Sequence, residues 1–273
     1  APVIDFDILN LAQPQNPWLQ PDGTGRIQLS GSIEVGQCGV TQGGLVIDGF
    51  VTPIDDLSRF ELRRPYPDGL HSVNWTVTDI AGNERNGVYS FRVDSEPPAA
   101  QYESPVNGAY TVESEVRVTA TLTDAGSGVH EIIVNERIIQ GDPDPNDPTR
   151  VHLDTVVSNL VEGPNQIEVT IIDAVGNSHT DQFVVHRDTT PPTVTITAPR
   201  AGVGVPQPLI VTGMVHDLIE RGEGLEPIVG NGVTEVSVNG GAAEIDPETG
   251  GWSIHGVELD IDNPLITVTA TDG

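Results

Sequence analysis

Apolar residues along this chain recur at every second position, and that period sets the first expectations. Ile27, Leu29 and Ile33 share one side of a predicted strand, with Gly31 in the slot between the last two; Val73, Trp75 and Val77 repeat the pattern further on. Side chains of an extended chain point alternately to opposite faces, so one row enters a core and the other stays wet. Trp75 is expected to be the bulkiest core member of its unit. Tyr89, Phe91 and Val93 read as a closing strand. The same order returns with Val116, Val118 and Ala120, with Ile132 to Val134, with Ile167, Val169 and Ile171, and with Phe183 and Val185. A third round brings Val194 and Ile196, Ile210 to Val215, Val236 and Val238, and Ile266, Val268 and Ala270. No window shows the three-and-four spacing of an amphipathic helix, so the predicted class is all-β.

Turn residues show that these rounds are a repeat. Asp79-x-x-Gly82-Asn83 and Asp94-x-x-Pro97-Pro98 come back as Asp173-x-x-Gly176-Asn177 and Asp188-x-x-Pro191-Pro192, each 94 residues later. Pro105 and Gly108 return at Pro199 and Gly202 with the same offset. That period is the length of one immunoglobulin-like sandwich and far exceeds a solenoid repeat. Three tandem immunoglobulin-like β-sandwiches joined by short Pro-Pro linkers are therefore expected, at residues 1–94, 95–188 and 189–273. Prolines end strand pairing at each junction and stiffen the link. The third unit stops at the turn where the second still has Phe183 and Val185 to run. It is expected to lack its last strand and to leave an edge of unpaired backbone groups. That edge reads either as a truncation boundary or as a groove filled by a neighbouring chain's strand. Gly141 to Pro148 and Leu218 to Gly232 are loops that differ between units.

Composition narrows the setting. The 273 residues carry 40 acids against 12 basic residues, all of them Arg, for a net charge of −28. Such a surface repels nucleic acid and anionic membranes and favours Ca²⁺ or basic partners; equally, it keeps an extracellular or salt-exposed protein soluble. Aromatics at 4% suit thin sandwiches better than a large α/β enzyme. Cys38 is the one cysteine, so no intrachain disulfide forms, which fits a bacterial exoprotein better than an animal receptor ectodomain. No apolar stretch is long enough to span a membrane, and no charged leader with an apolar run is present. Asn74-Trp75-Thr76 matches the three-residue N-glycosylation pattern.

Candidate chemistry centres on carboxylates. Asp79 and Asp173 open Asx-turns in which Gly82 and Gly176 supply positive φ and Asn83 and Asn177 tolerate the left-handed region; the alternative is that these acids help ligate Ca²⁺. The stronger metal candidates are Asp94 and Glu96 in one linker and Asp188 in the next, with Asp124 and Asp217 opening loops toward the same junctions. Calcium takes about six to eight oxygens at about 2.3–2.6 Å, which a linker and two flanking loops supply together. Asp142, Asp144 and Asn146 begin like an EF-hand, but Asp147 replaces the glycine and Leu153 the final glutamate. The 7 histidines show no zincin spacing, and there is no nucleophile elbow, P-loop or dinucleotide fingerprint, so a non-enzymatic role is expected. Trp18 and Trp252 are candidate sugar-stacking platforms, weighed against ordinary core packing.

Val77-Thr-Asp-Ile-Ala-Gly-Asn83, Asp188-Thr-Thr-Pro-Pro-Thr-Val-Thr-Ile-Thr-Ala-Pro199, Val236-Ser-Val-Asn-Gly240 and Ile266-Thr-Val-Thr-Ala-Thr-Asp272 together resemble the tandem bacterial immunoglobulin-like repeats of surface adhesins and secreted multidomain proteins. The third unit, with Asn239-Gly240, Trp252 and Asn263-Pro-Leu-Ile-Thr-Val, is similar to accessory immunoglobulin-like modules of glucodextranase-type polysaccharide enzymes. Gly36 to Gly44, which holds Cys38, departs from the pattern. The resemblance implies a structural or adhesive stalk, extracellular or at the cell surface, that meets protein or glycan partners and is stiffened by calcium. Two alternatives stand beside it. A carbohydrate-binding accessory region requires Trp18 or Trp252 exposed on a flat face; a surface filament subunit requires self-assembly through the open edge of the third unit.

Overall fold

The computed structural model describes residues 2–6, 18–34, 39–55, 59–202, 204, 206–219, 226–260 and 264–273. Cys38 and part of the Leu218 to Gly232 loop lie outside the described residues. Within them every regular element is a β-strand, and no helix is long and apolar enough to cross a membrane.

Residues 3–93 build a three-stranded sheet in the order Val3–Phe6, Ile27–Glu34, Arg59–Arg64, and a five-stranded sheet in the order Trp18–Leu19, Glu84–Val93, Gly69–Asp79, Val40–Ile47, Phe50–Val51. Residues 99–187 build a four-stranded sheet, Asp142–Pro143, Arg150–Ser158, Glu115–Thr123, Ala99–Ser104, and a five-stranded one, Ala109–Thr111, Ser178–Arg187, Gly163–Asp173, Val129–Val134, Arg137–Ile139. Residues 193–272 give Thr193–Ala198, Leu209–His216, Gly251–Val257, Glu244–Ile245 in one sheet and Gly241–Ala242, Val233–Val238, Val268–Asp272 in another. Leu218–Ile219 and Ile228–Val229 pair as a small ribbon. None of these sheets draws strands from both sides of Asp94 or of Asp188. In the first two sets the closing strand runs parallel to a short early strand, Trp18 beside Arg92 and Ala109 beside Val185.

By compactness the chain falls into two units. One holds residues 1–104, 119–155 and 168–181, and the other 105–118, 156–167 and 182–273, so the middle repeat contributes to both. Each unit has an apolar core drawn from facing sheets. In the first, Ile27, Leu29, Ile33 and Phe60 of one sheet meet Leu45, Ile47, Val73, Val77 and Phe91 of the other, as the alternation predicted. Each such side chain is worth about 1.5–3 kcal/mol when removed from water. Phe91 is the largest fully buried side chain of this core, and Trp75 is only half-buried at its margin, contrary to expectation. The reason is local: Trp75 pairs across the ladder with Gly87, and its ring lies over that glycine, where any Cβ would collide with it.

In the second unit Leu209, Val211, Val215, Val236, Val238 and Trp252 form the core. Trp252 is 3% exposed and lies against Gly213, its partner in the neighbouring strand. Ile167, Val169 and Ile171 are fully buried, whereas their counterparts Ile266, Val268 and Ala270 are only half-buried. The strand Gly163–Asp173 has a neighbour on both sides, but Val268–Asp272 pairs only with Val233–Val238 among the described residues. Ile196, expected to face inward, is 40% exposed on the edge strand of the other sheet.

Candidate metal centre

Each acid of the first corner stands where a strand ends. Asp94 follows Glu84–Val93 and its N–H donates to the Leu19 carbonyl at 3.1 Å; Asp124 follows Glu115–Thr123; Asp173 closes Gly163–Asp173. All three are buried, at 2%, 6% and 1% exposure, and one carboxylate oxygen from each lies within 4.8 Å of the others. Among the described residues no other three acids, histidines or cysteines come so close.

Short glycine-bearing loops hold this geometry. Asp124 Oδ1 accepts the N–H groups of Gly126 at 2.7 Å and Gly128 at 3.0 Å, which turns the loop so that Ser127 N–H donates to Asp94 Oδ2 at 2.6 Å. Gly126 is required because a Cβ there would run into the Asp94 carboxylate. Asp173 Oδ1 accepts N–H groups from Val175, Gly176 and Asn177, and Oδ2 accepts the Asn177 side-chain amide at 2.7 Å. Gly176 has the expected positive φ, +101°; Asn83 and Asn177 do not adopt the left-handed region. Asparagine is needed there for its side chain. Asn83 returns the same amide bond to Asp79, and Asn177 does more, donating also to the Asp94 carbonyl at 3.2 Å and accepting from Gln20 Nε2 at 2.6 Å.

Burial, helped by the charges of Asp94 and Asp173, holds Asp124 above the usual carboxylate range, against the two glycine N–H groups. Asp79, which faces no such cluster, is held below that range by the Asn83 amide and N–H.

The second corner repeats the plan with other residues. Asp188 and Asp217 are buried, at 5% and 6% exposure, and both converge on Gly230, where a Cβ would lie 2.5 Å from an oxygen of each. Asn231 N–H donates to Asp188 Oδ2 at 3.2 Å and Gly232 N–H to Asp217 Oδ2 at 2.7 Å. Asp272 pairs with Val233 just as Asp173 pairs with Val129. Burial, then the charges of Asp188 and Asp272, push Asp217 above the usual range.

Of the acids singled out from sequence, Asp94 and Asp124 meet at one corner and Asp188 and Asp217 at the other. Glu96 is exposed, and only its backbone N–H reaches Asp94, at 3.3 Å. Asp173 joins the first cluster while also serving as the turn residue its motif suggested. Sequence reasoning also passed over Asp68 and Glu162, which bind the N–H and hydroxyl of Ser95 and of Thr189, the residues just after Asp94 and Asp188. Their 94-residue offset was the available signal. Neither tryptophan offers the flat exposed platform a sugar-binding face requires. Trp252 is buried and Trp18 is partly buried with the Arg92 guanidinium 5.3 Å from its ring centre.

Successive two-layer sandwiches, with closing strands parallel to short early ones, make this a tandem immunoglobulin-like β-protein. The sequence matches no family model and no curated protein. Among solved structures the chain is similar to fibronectin(III)-like modules of Clostridium thermocellum CbhA, with 15% identity, 68% of this chain and 94% of that one covered, and a TM-score of 0.43. It is similar to the three-domain titin segment I67–I69 at 11% identity, with 99% and 93% covered and a TM-score of 0.42. A solved chain from a 1.5-MDa bacterial ice-binding adhesin matches at 15% identity, with 100% of this chain and 96% of that solved chain covered and a TM-score of 0.31.

Proposed function

We propose that this chain is a non-enzymatic structural or adhesive module of an extracellular or cell-surface protein, in which acid-lined joints stiffened by calcium fix one sandwich against the next. The divisions proposed are residues 1–94, 95–188 and 189–273. The observation that carries the reading is the linker at Asp94 and Ser95, which is held from both sides. Asp68 and Leu19, which precede the linker, bind Ser95 and the Asp94 N–H, while Ser127 and Asn177, from loops that follow it, bind the Asp94 carboxylate and carbonyl. A flexible tether has no use for four anchors on two residues, with only the Asp68 bonds to Ser95 exposed, whereas a spacer that must keep its angle does. The strong acidity adds a surface suited to basic protein patches or to cation-bridged glycans as partners, and unsuited to nucleic acid.

Small-angle scattering of the full chain tests the reading. The wild type is expected to show a narrow distribution of sizes, and Asn177→Ala combined with Asp68→Ala a broader one. Equal breadth in both would remove the fixed joint and with it the proposed role.

A further inference from the structure

We propose that the fold makes the peptide bond between Asp142 and Pro143 a self-cleavage site, at which the aspartate's own carboxyl cuts the chain in mild acid. The chain contains four Asp-Pro bonds, at 142–143, 144–145, 147–148 and 246–247, and three of them crowd the Gly141 to Pro148 loop. Two attacks compete at an aspartyl bond: the next residue's N–H nitrogen closes on the side chain, or a side-chain oxygen closes on the backbone carbonyl. Proline has no N–H, which shuts the first route, and its tertiary amide nitrogen leaves once protonated. In the second route an Oδ of the neutral carboxyl bonds to the Asp142 carbonyl carbon. The C–N bond to Pro143 breaks as the carboxyl proton passes to that nitrogen, and a five-membered cyclic anhydride remains. Water then opens the anhydride, leaving Asp142 with two free carboxyls and Pro143 as a new N-terminus.

The structure singles out one bond of the four. Asp144 Oδ1 accepts the Asn146 N–H at 2.8 Å, and its Oδ2 lies 3.6 Å from His152 Nε2. Asp147 Oδ1 accepts the Thr149 N–H at 3.0 Å and hydroxyl at 2.6 Å, and its Oδ2 lies 3.1 Å from Arg150 Nε. Asp246 Oδ1 accepts the Glu248 N–H at 3.0 Å, and its Oδ2 the Thr249 hydroxyl at 2.8 Å. Carboxylates tied in this way are not free to swing onto their own carbonyl carbons. The same bonds, chiefly from the Asn146 N–H, the Thr149 hydroxyl and the Thr249 hydroxyl, hold these three acids below the usual carboxylate range, so they lack a proton to give until the pH is lower. The Asp142 carboxyl has no hydrogen-bond or ion-pair partner among the described residues. The charged groups beside it are Arg150, His152 and Asp154 on the adjoining strand and Asp144 and Asp147 in its own loop; His152, opposite it in the register, is turned to Asp144. Asp142 and Pro143 are both exposed, so water reaches the bond, and the cut interrupts only their two-residue pairing with Val151 and His152.

Mass spectrometry of the full chain held at about pH 4, near the ordinary aspartate value, tests the proposal, with circular dichroism following the fold. Fragments ending at Asp142 and starting at Pro143 are expected to build up about tenfold faster than those from the other three bonds, the factor that one hydrogen bond to a charged group is worth. In concentrated urea those hydrogen bonds are gone, and the four rates are expected to converge. Asp142→Asn removes the attacking carboxyl and is expected to lose the cut at 142–143 while the slow cuts elsewhere persist. Thr149→Val takes one hydrogen bond from Asp147 and is expected to speed the cut at 147–148 without changing the rate at 142–143. A faster cut at any other bond of the folded chain, or no cut after Asp142, overturns the proposal. So does a preference for Asp142 that persists in urea, because local sequence and not the fold would then set it.

Discussion

The two acidic corners use the same strand-end positions and reach different balances. At the first, Asp124 Oδ1 has two N–H partners, Asp94 has a short bond from Ser127, and Asn177 ties Asp173, Asp94 and Gln20 together. At the second, the matching bond to Asp188 is longer, 3.2 Å against 2.6 Å, and one oxygen of Asp217 has no partner among the described residues. The comparison teaches that buried carboxylates do not by themselves define a metal site. What matters is how far backbone donors have already neutralised them.

The largest test of this contrast is steric. Gly126→Ala places a methyl in the Asp94 carboxylate and is expected to destabilise the first unit by about 3 kcal/mol, at the upper end of overpacking costs, read by chemical denaturation. A wild-type midpoint would mean that the corner is looser than described. Asn177→Ala strips the amide that joins three groups and leaves Asp173 with a buried, unanswered oxygen, at an expected cost of about 2 kcal/mol. Asn83→Ala, at a corner where the amide serves Asp79 alone, is expected to cost about half as much. Equal losses would show that the extra bonds of Asn177 contribute nothing. Calcium at ten times its dissociation constant is expected to stabilise the unit that holds it by about 1.4 kcal/mol, and a thermal midpoint that does not move would remove calcium from the joints. The smallest effect belongs to Gln20→Ala, whose half-exposed bond to Asn177 is worth about 0.5–1 kcal/mol; a loss above that would make Gln20 a principal anchor of the first joint.

Much of this architecture can be read from the chain. Ile27, Leu29 and Ile33 are buried because period-two alternation is a property of the extended backbone, and the Asp-x-x-Gly-Asn turn closes locally within five residues. The clustering of Asp173 with Asp94 and Asp124 was not legible, because it depends on where three strands end relative to one another. Asp272 was obscured by the longer loop before it, which breaks the 94-residue offset. The tryptophans show a third limit. Trp75 and Trp252 both face a glycine on the next strand, yet one is half-buried and the other buried, a difference set by surrounding packing that no local pattern records.

The parallel pairing of Trp18–Leu19 with Arg92–Val93 carries a mechanical consequence. Tension applied ahead of Trp18 and beyond Asp94 pulls these two segments in opposite directions along their length. Their hydrogen bonds, and the one from Asp94 to Leu19, then bear the load side by side in shear instead of opening one after another like a zip. The short segment at Trp18 thus acts as a tensile lock on the closing strand, and Ala109–Thr111 against Val185–Arg187 repeats the device.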